Sequence, residues 1–400
     1  MPPITAHRGR EPYEGDESAG SISVGGFLPR LLKATRGEYW GLPEVGQSSR
    51  RRLPFRLLKR LSVSLCATLT AVLLLELATV TLNPMGILYF SESHAYLQQS
   101  IEILPLADRV DGRLFENRRN NHLGLSGFDF DTNSFGLRGV TPGENFDVLK
   151  DPSKLRVLFL GDSVTLGWGV PHEDTWINVL EGRAKAKDGR GVELLNAGHL
   201  QYNTIQESDW LEAHGPELRP DVVVVTFVVN DLDDAYGMYQ GLKQSILDAP
   251  TPDELTLGDK MTAYYNEHFT GIRGLLRYRE VREQAKTASE LELVKVEDRA
   301  EYPQAWFRAS LALDRIQRIC GELGAKLVIL DHSVPRIPGV QPWCQQAGVP
   351  WYDMTFTDTE SSEDIRNSLA DAHANALGNS YLANKAQAAL VAEGILANLQ

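Results

Sequence analysis

The stretch LRVLFLGDSVTLGWG, residues 155–169, decides the fold. Its first six residues are apolar apart from Arg156, and a run without polar alternation suits a strand covered on both faces. Gly161 ends the run. Asp162-Ser163-Val164-Thr165 then has the composition of a helix start, since Asp and Ser cap the first free N–H groups. A serine at such a junction stands at the rim of a sheet, where its hydroxyl is presented as a nucleophile beside helix N–H groups. A phosphate cradle is the competing chemistry, but the Gly-x4-Gly-Lys-Ser/Thr pattern is absent and Asp162 would repel an anion. Alone, Gly-Asp-Ser reads better as an ordinary turn with a capping serine.

Reading outward, four similar runs follow: VELL (192–195), DVVVVTFVV (221–229), KLVIL (326–330) and PWYDM (350–354). Helical stretches separate them around 174–187, 204–214 and 305–322, and another closes the chain at 376–397. Strand–helix alternation over this length predicts an α/β domain of the doubly wound, flavodoxin-like kind: a parallel five-stranded sheet with helices on both faces. Active sites of such sheets lie beyond the carboxyl ends of the strands.

Those ends carry chemistry. The second strand ends in Asn196-Ala197-Gly198, where a glycine lets backbone approach a substrate closely. The third ends in Asn230-Asp231; a neutral amide there can donate to a developing oxyanion, and Asp231 can brace the loop. Asp371-Ala372-His373 precedes the last helix. Ser163 needs a base to take its proton, and a carboxylate on the far ring nitrogen would set the imidazole's tautomer. Residues two apart in extended backbone point the same way, so Asp371 can reach His373. The rival, Asp331-His332 at the end of the fourth strand, pairs adjacent residues, which point apart.

The joint order of these features resembles the SGNH (GDSL-type) hydrolase family over about residues 130–400, and the anchored N-terminus with the NSFGLRG lead-in (Asn133–Gly139) is similar to its membrane-tethered bacterial members. The resemblance implies Ser163 as nucleophile and first oxyanion donor, Gly198 and Asn230 as the second and third donors, His373 as base and Asp371 as its orienting acid, with Asp162 and Asp231 in support. The sequence departs from the family pattern in three places. Val228 stands where glycine is usual, the acid precedes the histidine by two residues instead of three, and Ala374 replaces the usual proline.

The N-terminal part has a different character. Residues 1–60 carry 11 Lys+Arg against 6 Asp+Glu, a net of +5; the whole chain is −13, so the other 340 residues hold −18. That acidic bulk excludes nucleic acid as a partner. Residues 1–60 read as a disordered basic leader. Residues 61–82, LSVSLCATLTAVLLLELATVTL, hold one charge, Glu76, and as a helix extend about 33 Å, enough for a transmembrane anchor. The core is too long for a cleaved signal peptide. Six Lys/Arg in 50–60 against none in 83–100 predict a single-pass protein with a cytoplasmic N-terminus and the remainder on the extracytoplasmic, periplasmic side. Residues 83–150 read as an irregular juxtamembrane segment, and 151–400 as the hydrolase domain.

Residues 232–303 form an insertion with seven aromatics, Tyr236, Tyr239, Tyr264, Tyr265, Phe269, Tyr278 and Tyr302, which serve either as a lid over the site or as the core of added helices. The run Arg273–Arg282 reads as a solvated helix face. Of three cysteines, Cys320 and Cys344 lie beyond the anchor and are the pair available for a disulfide. The expected function is a membrane-anchored serine esterase that cleaves carboxylic esters through an acyl-enzyme, without metal or organic cofactor. Its substrate is an ester on carbohydrate or lipid. The alternatives are an acyltransferase acting on envelope or exported polysaccharide and a catalytically inactive scaffold.

Overall fold

The apolar run expected over 61–82 lies within a longer helix, α1 (Phe55–Leu82), in the computed structural model. The structure describes residues 55–104, 114–139, 145–232, 256–292, 297, 301–357, 360 and 364–398. The leader before Phe55, and Tyr236 and Tyr239 of the insertion, lie outside these residues. Residues from Ser62 onward form one body; of the unit before it, the described part is Phe55–Leu61. Helix α1 is long and apolar enough to cross a membrane, and its apolar side chains are exposed throughout. Its buried residues are Glu76 and Thr79.

The segment after α1 is ordered by packing instead of by long elements. Helix α2 (Tyr89–Gln99) leads into two small antiparallel pairs, β1 (Ile101–Ile103) with β2 (Phe115–Asn117) and β3 (His122–Gly124) with β4 (Asp129–Asp131). Their inward residues Tyr96, Phe115, Leu123 and Phe130 share one hydrophobic cluster with Leu158 and Leu195 of the following sheet and with Trp168. The core is therefore continuous across residue 150, because strands this short cannot bury enough surface alone.

The five long runs pair as expected. Strands β5 (Lys154–Gly161), β6 (Gly191–Gly198), β7 (Val222–Phe227), β8 (Lys326–Asp331) and β9 (Trp351–Asp353) form one parallel sheet in the order β6-β5-β7-β8-β9. All six residues of β7 are buried, and fully burying a valine stabilises by about 1.5–3 kcal/mol. Helices α3 (Ser163–Leu166), α4 (Trp176–Glu181) and α5 (Thr204–Leu218) follow the first two strands. A reciprocal cap starts α5: Asn203 Oδ1 accepts from Gln206 N–H, and Gln206 Oε1 accepts from Asn203 N–H.

The insertion contributes α6 (Leu257–His268) and α7 (Thr270–Glu292), after which α8 (Tyr302–Leu323), α9 (Val340–Ala347) and α10 (Ala376–Ala392) complete the chain. One face of the sheet is covered by α5, α8, α9 and the front segment, the other by α4 and α10. Cys320 on α8 and Cys344 on α9 are buried free thiols, raised to about 12 by burial, so the disulfide that the sequence left open is absent.

Candidate active site

The order of the sheet reverses between β5 and β7, where a doubly wound fold opens a crevice beyond its strand ends. Ser163 emerges there. It is the first residue of α3, a helix too short to hold itself, and Asp162 caps it by accepting the Val164 N–H at 2.8 Å. The loop after α3 is clamped from behind by Arg138 of the NSFGLRG stretch. Its buried guanidinium donates to Leu166 O (2.6 Å), Gly167 O (2.5 Å) and Val170 O (2.5 Å). Hydrogen bonds from a charged donor are each worth about 1.5–3 kcal/mol, so this clamp holds the Ser163 turn firmly. Burial draws the Arg138 pKa down to about 10, which leaves the group charged at neutral pH.

His373 Nε2 stands 2.7 Å from Ser163 Oγ, and His373 Nδ1 stands 2.5 Å from Asp371 Oδ1. The two-residue spacing closes because Asp371 Oδ1 also accepts the backbone N–H of His373 at 3.1 Å, forming a tight turn. Asn367 donates to the other oxygen, Asp371 Oδ2, at 3.1 Å. Both residues are largely buried. The rival histidine behaves as alternation predicts: Asp331 turns away to accept from Ser333, Arg336 and Trp351, while His332 Nδ1 donates to Met354 O at 2.9 Å. His332 nonetheless lines the cavity of about 270 Å³ above Ser163, together with Tyr89, Trp168 and Phe356. The Tyr89 ring lies 5.9 Å from that of His373, and burial pushes its hydroxyl up to about 12.

Gly198 differs from its expected role. Its N–H already donates to Asn196 Oδ1 at 3.0 Å, and its carbonyl accepts from Asn117 Nδ2 at 3.0 Å. Glycine is required there for space, since a Cβ would sit 2.3 Å from Leu166 N. Following the loop onward, the N–H of His199 donates to Gly161 O, that of Leu200 to the Tyr96 hydroxyl and that of Tyr202 to His199 O. Gln201 is left. Its N–H has no hydrogen-bond partner among the described residues, and its backbone is left-handed at φ 67°, a conformation a non-glycine residue adopts rarely. Nothing in the composition of HLQYN signals this residue. Asn230 lies alongside, with Nδ2 donating to Tyr202 O at 3.3 Å.

Beneath the turn lie three buried acids. Asp231 accepts from Thr204 Oγ1 (2.6 Å) and Val228 N–H (2.6 Å), and burial pushes its carboxyl up to about 8. Burial raises Asp162 too, against the Val164 N–H. Glu207 on α5 is 1% exposed, with no partner for either oxygen among the described residues, and burial pushes it well above the usual range. Each of these acids binds its proton more tightly folded than unfolded. Folding therefore takes up protons above the unfolded pKa near 4, and stability falls as pH rises toward 8. We expect Glu207→Gln, already neutral, to lose this contribution, so that its stability changes with pH above about 5 less steeply downward than that of the wild type, by up to about 1.4 kcal/mol per pH unit. Thermal melts across pH check this; an unchanged slope in the variant would contradict it.

Among the described residues, no group of three or more His, Cys, Asp or Glu could hold a metal ion. The model of the GDSL-like lipase/acylhydrolase family matches residues 159–381. Among solved structures, the chain is similar to the psychrotrophic esterase EstA from Pseudoalteromonas sp. (12% identity over 60% of this chain and 98% of that one, TM-score 0.36). It is similar as well to a GDSL-like lipase from Bacteroides thetaiotaomicron (10%, 62% and 93%, TM-score 0.35). A third likeness is to an acetyl-xylooligosaccharide esterase from Geobacillus (12%, 59% and 93%, TM-score 0.32). No curated protein matches the chain.

Proposed function

Since this chain belongs to the GDSL-like lipase/acylhydrolase family, an ester-hydrolysing family, we propose that it is a membrane-anchored serine esterase working through an acyl-enzyme. The observation that carries the reading is the continuous chain Ser163 Oγ–His373 Nε2–Asp371, with contacts of 2.7 and 2.5 Å. Ser163 Oγ attacks the ester carbonyl as its proton passes to His373 Nε2. Asp371 holds the Nδ1 proton and stabilises the imidazolium. The imidazolium then protonates the leaving alcohol, and a water activated in the same way releases the acid. Developing charge on the carbonyl oxygen is met by the Ser163 N–H and the Asn230 amide. The third donor in this reading is the Gln201 N–H, in place of Gly198.

Helix α1 serves as the anchor. The six Lys/Arg of residues 50–60 support a cytoplasmic N-terminus, with the catalytic body on the opposite, periplasmic side. Hydrolysis, as opposed to transfer, is tested by product analysis. Full-length protein given a p-nitrophenyl ester and an oligosaccharide acceptor is expected to release acid and p-nitrophenol in equal amounts. Acylated oligosaccharide as the main product would overturn hydrolysis.

A further inference from the structure

Glu76 is the single charge of the apolar run, yet it faces protein. The residue is 8% exposed, and its carboxylate accepts the N–H groups of Gly271 (2.9 Å) and Ile272 (2.8 Å), donors in the first turn of α7 that have no partner within the helix. The approach is close: a Cβ on Gly271 would sit 2.1 Å from Thr79 Oγ1. This tie holds the start of α7 against α1 about 9 Å before its end at Leu82, at the level of the apolar span itself. The neighbouring α6 leaves Leu257, Met261 and Tyr264 exposed at 76, 66 and 59%. Their spacing of four and three residues puts them on one helix face, and an exposed apolar helix face beside an anchor matches one lying in a membrane interface.

From that tie α7 runs past α2, and the two enclose a cavity of about 600 Å³. Its walls combine apolar Phe90, Leu97 and Leu276 with His94, Arg273 and Arg277. Glu280 also lines the cavity and pairs with Arg277 at 3.2 Å, while Arg273 donates to the Asn266 carbonyl, so the walls hold two guanidinium groups against one carboxylate and a net positive charge. Tyr89 lines both this cavity and the one above Ser163, and Gln201 lines it too. The basic run Arg273–Arg282, expected to be a solvated face, therefore turns two of its arginines toward a cavity that adjoins the reacting serine.

We propose that this cavity binds the anionic head group of an ester-bearing lipid taken from the membrane surface, so that the lipid's ester reaches Ser163 past Tyr89. The inference rests on the anchored-esterase reading and names its substrate class. Mixed apolar and cationic walls at the depth of an apolar span suit an amphiphile, whereas a glycan offers little for Phe90, Leu97 and Leu276 to cover.

The test uses full-length protein reconstituted into vesicles of phosphatidylcholine alone, or with a quarter phosphatidylglycerol, and measures fatty acid released. Release from the anionic vesicles is expected to be about tenfold faster. That ratio should fall toward one in the Arg273→Gln/Arg277→Gln double variant and persist in Arg273→Lys/Arg277→Lys, with melting curves showing each variant folded. A water-soluble short-chain acyl glycerophosphate, offered without vesicles, separates a lipid source from a free anionic ester; if it is the better substrate, the lipid proposal is overturned. Equal release from both vesicles, or a ratio unmoved in the glutamine variant, overturns it as well. Failure of wild-type protein to cleave a p-nitrophenyl ester would instead strike the esterase reading.

Discussion

Replacing Ser163 with alanine is expected to lower kcat on a short p-nitrophenyl ester by about 10⁴-fold or more, with the protein still folded. Among the described residues, the hydroxyl is the only group within hydrogen-bond range of His373 Nε2 in a position to be deprotonated by it, and no second nucleophile of the cavity above it comes that close. Removing one oxygen leaves the Asp162 cap on Val164 and the Arg138 clamp in place, so the turn keeps its shape. Steady-state turnover beside a melting curve checks this. Residual activity within about tenfold of wild type would mean that the ester is attacked by something other than Ser163.

Asp371→Asn is expected to lower kcat by about 10²–10⁴-fold while KM changes little. The carboxylate does two things through one oxygen, accepting both the ring Nδ1–H and the backbone N–H of His373. An asparagine carbonyl can keep the backbone contact and hold the loop. It cannot balance the imidazolium's charge, and its amide nitrogen can favour the wrong tautomer, which removes the acceptor that Ser163 needs. The loss should therefore appear in kcat. A variant impaired mainly in KM would place Asp371 in substrate binding instead of in orienting the base.

The sheet was legible because parallel strands buried on both faces leave unbroken apolar runs; VVVVTF of β7 needed no context. Ser163, His373 and Asp371 stand out in the sequence because each sits beside a landmark of the chain, a strand end or the start of the last helix, and the fold brings the three within hydrogen-bond reach of one another. The front segment was hidden for the opposite reason. Strands β2, β3 and β4 have three residues each, too few to show a period, and their order comes from burying Phe115, Leu123 and Phe130 against the sheet. Helix α9 is short and carries Pro342, and so left little helical signal.

Two features could not be read from local sequence at all. Gln201 has its left-handed backbone in a loop whose neighbouring N–H groups are all claimed, that of Leu200 by the hydroxyl of Tyr96 from a segment 104 residues earlier. Glu76 finds its partners 195 and 196 residues further along the chain. An acidic residue in an apolar run signals some partner, since an unpaired charge there is costly, but only the fold says which one. The same holds for Gly198: its place after a strand suggested a backbone donor, whereas the structure uses its missing side chain to let α3 approach.

The central claim is that Ser163 becomes covalently modified. Full-length protein treated with a fluorophosphonate and analysed by intact mass and peptide mapping is predicted to carry one adduct per chain, on the peptide containing Ser163, and none in Ser163→Ala. An adduct on another residue, or no adduct on folded wild-type protein, would contradict it.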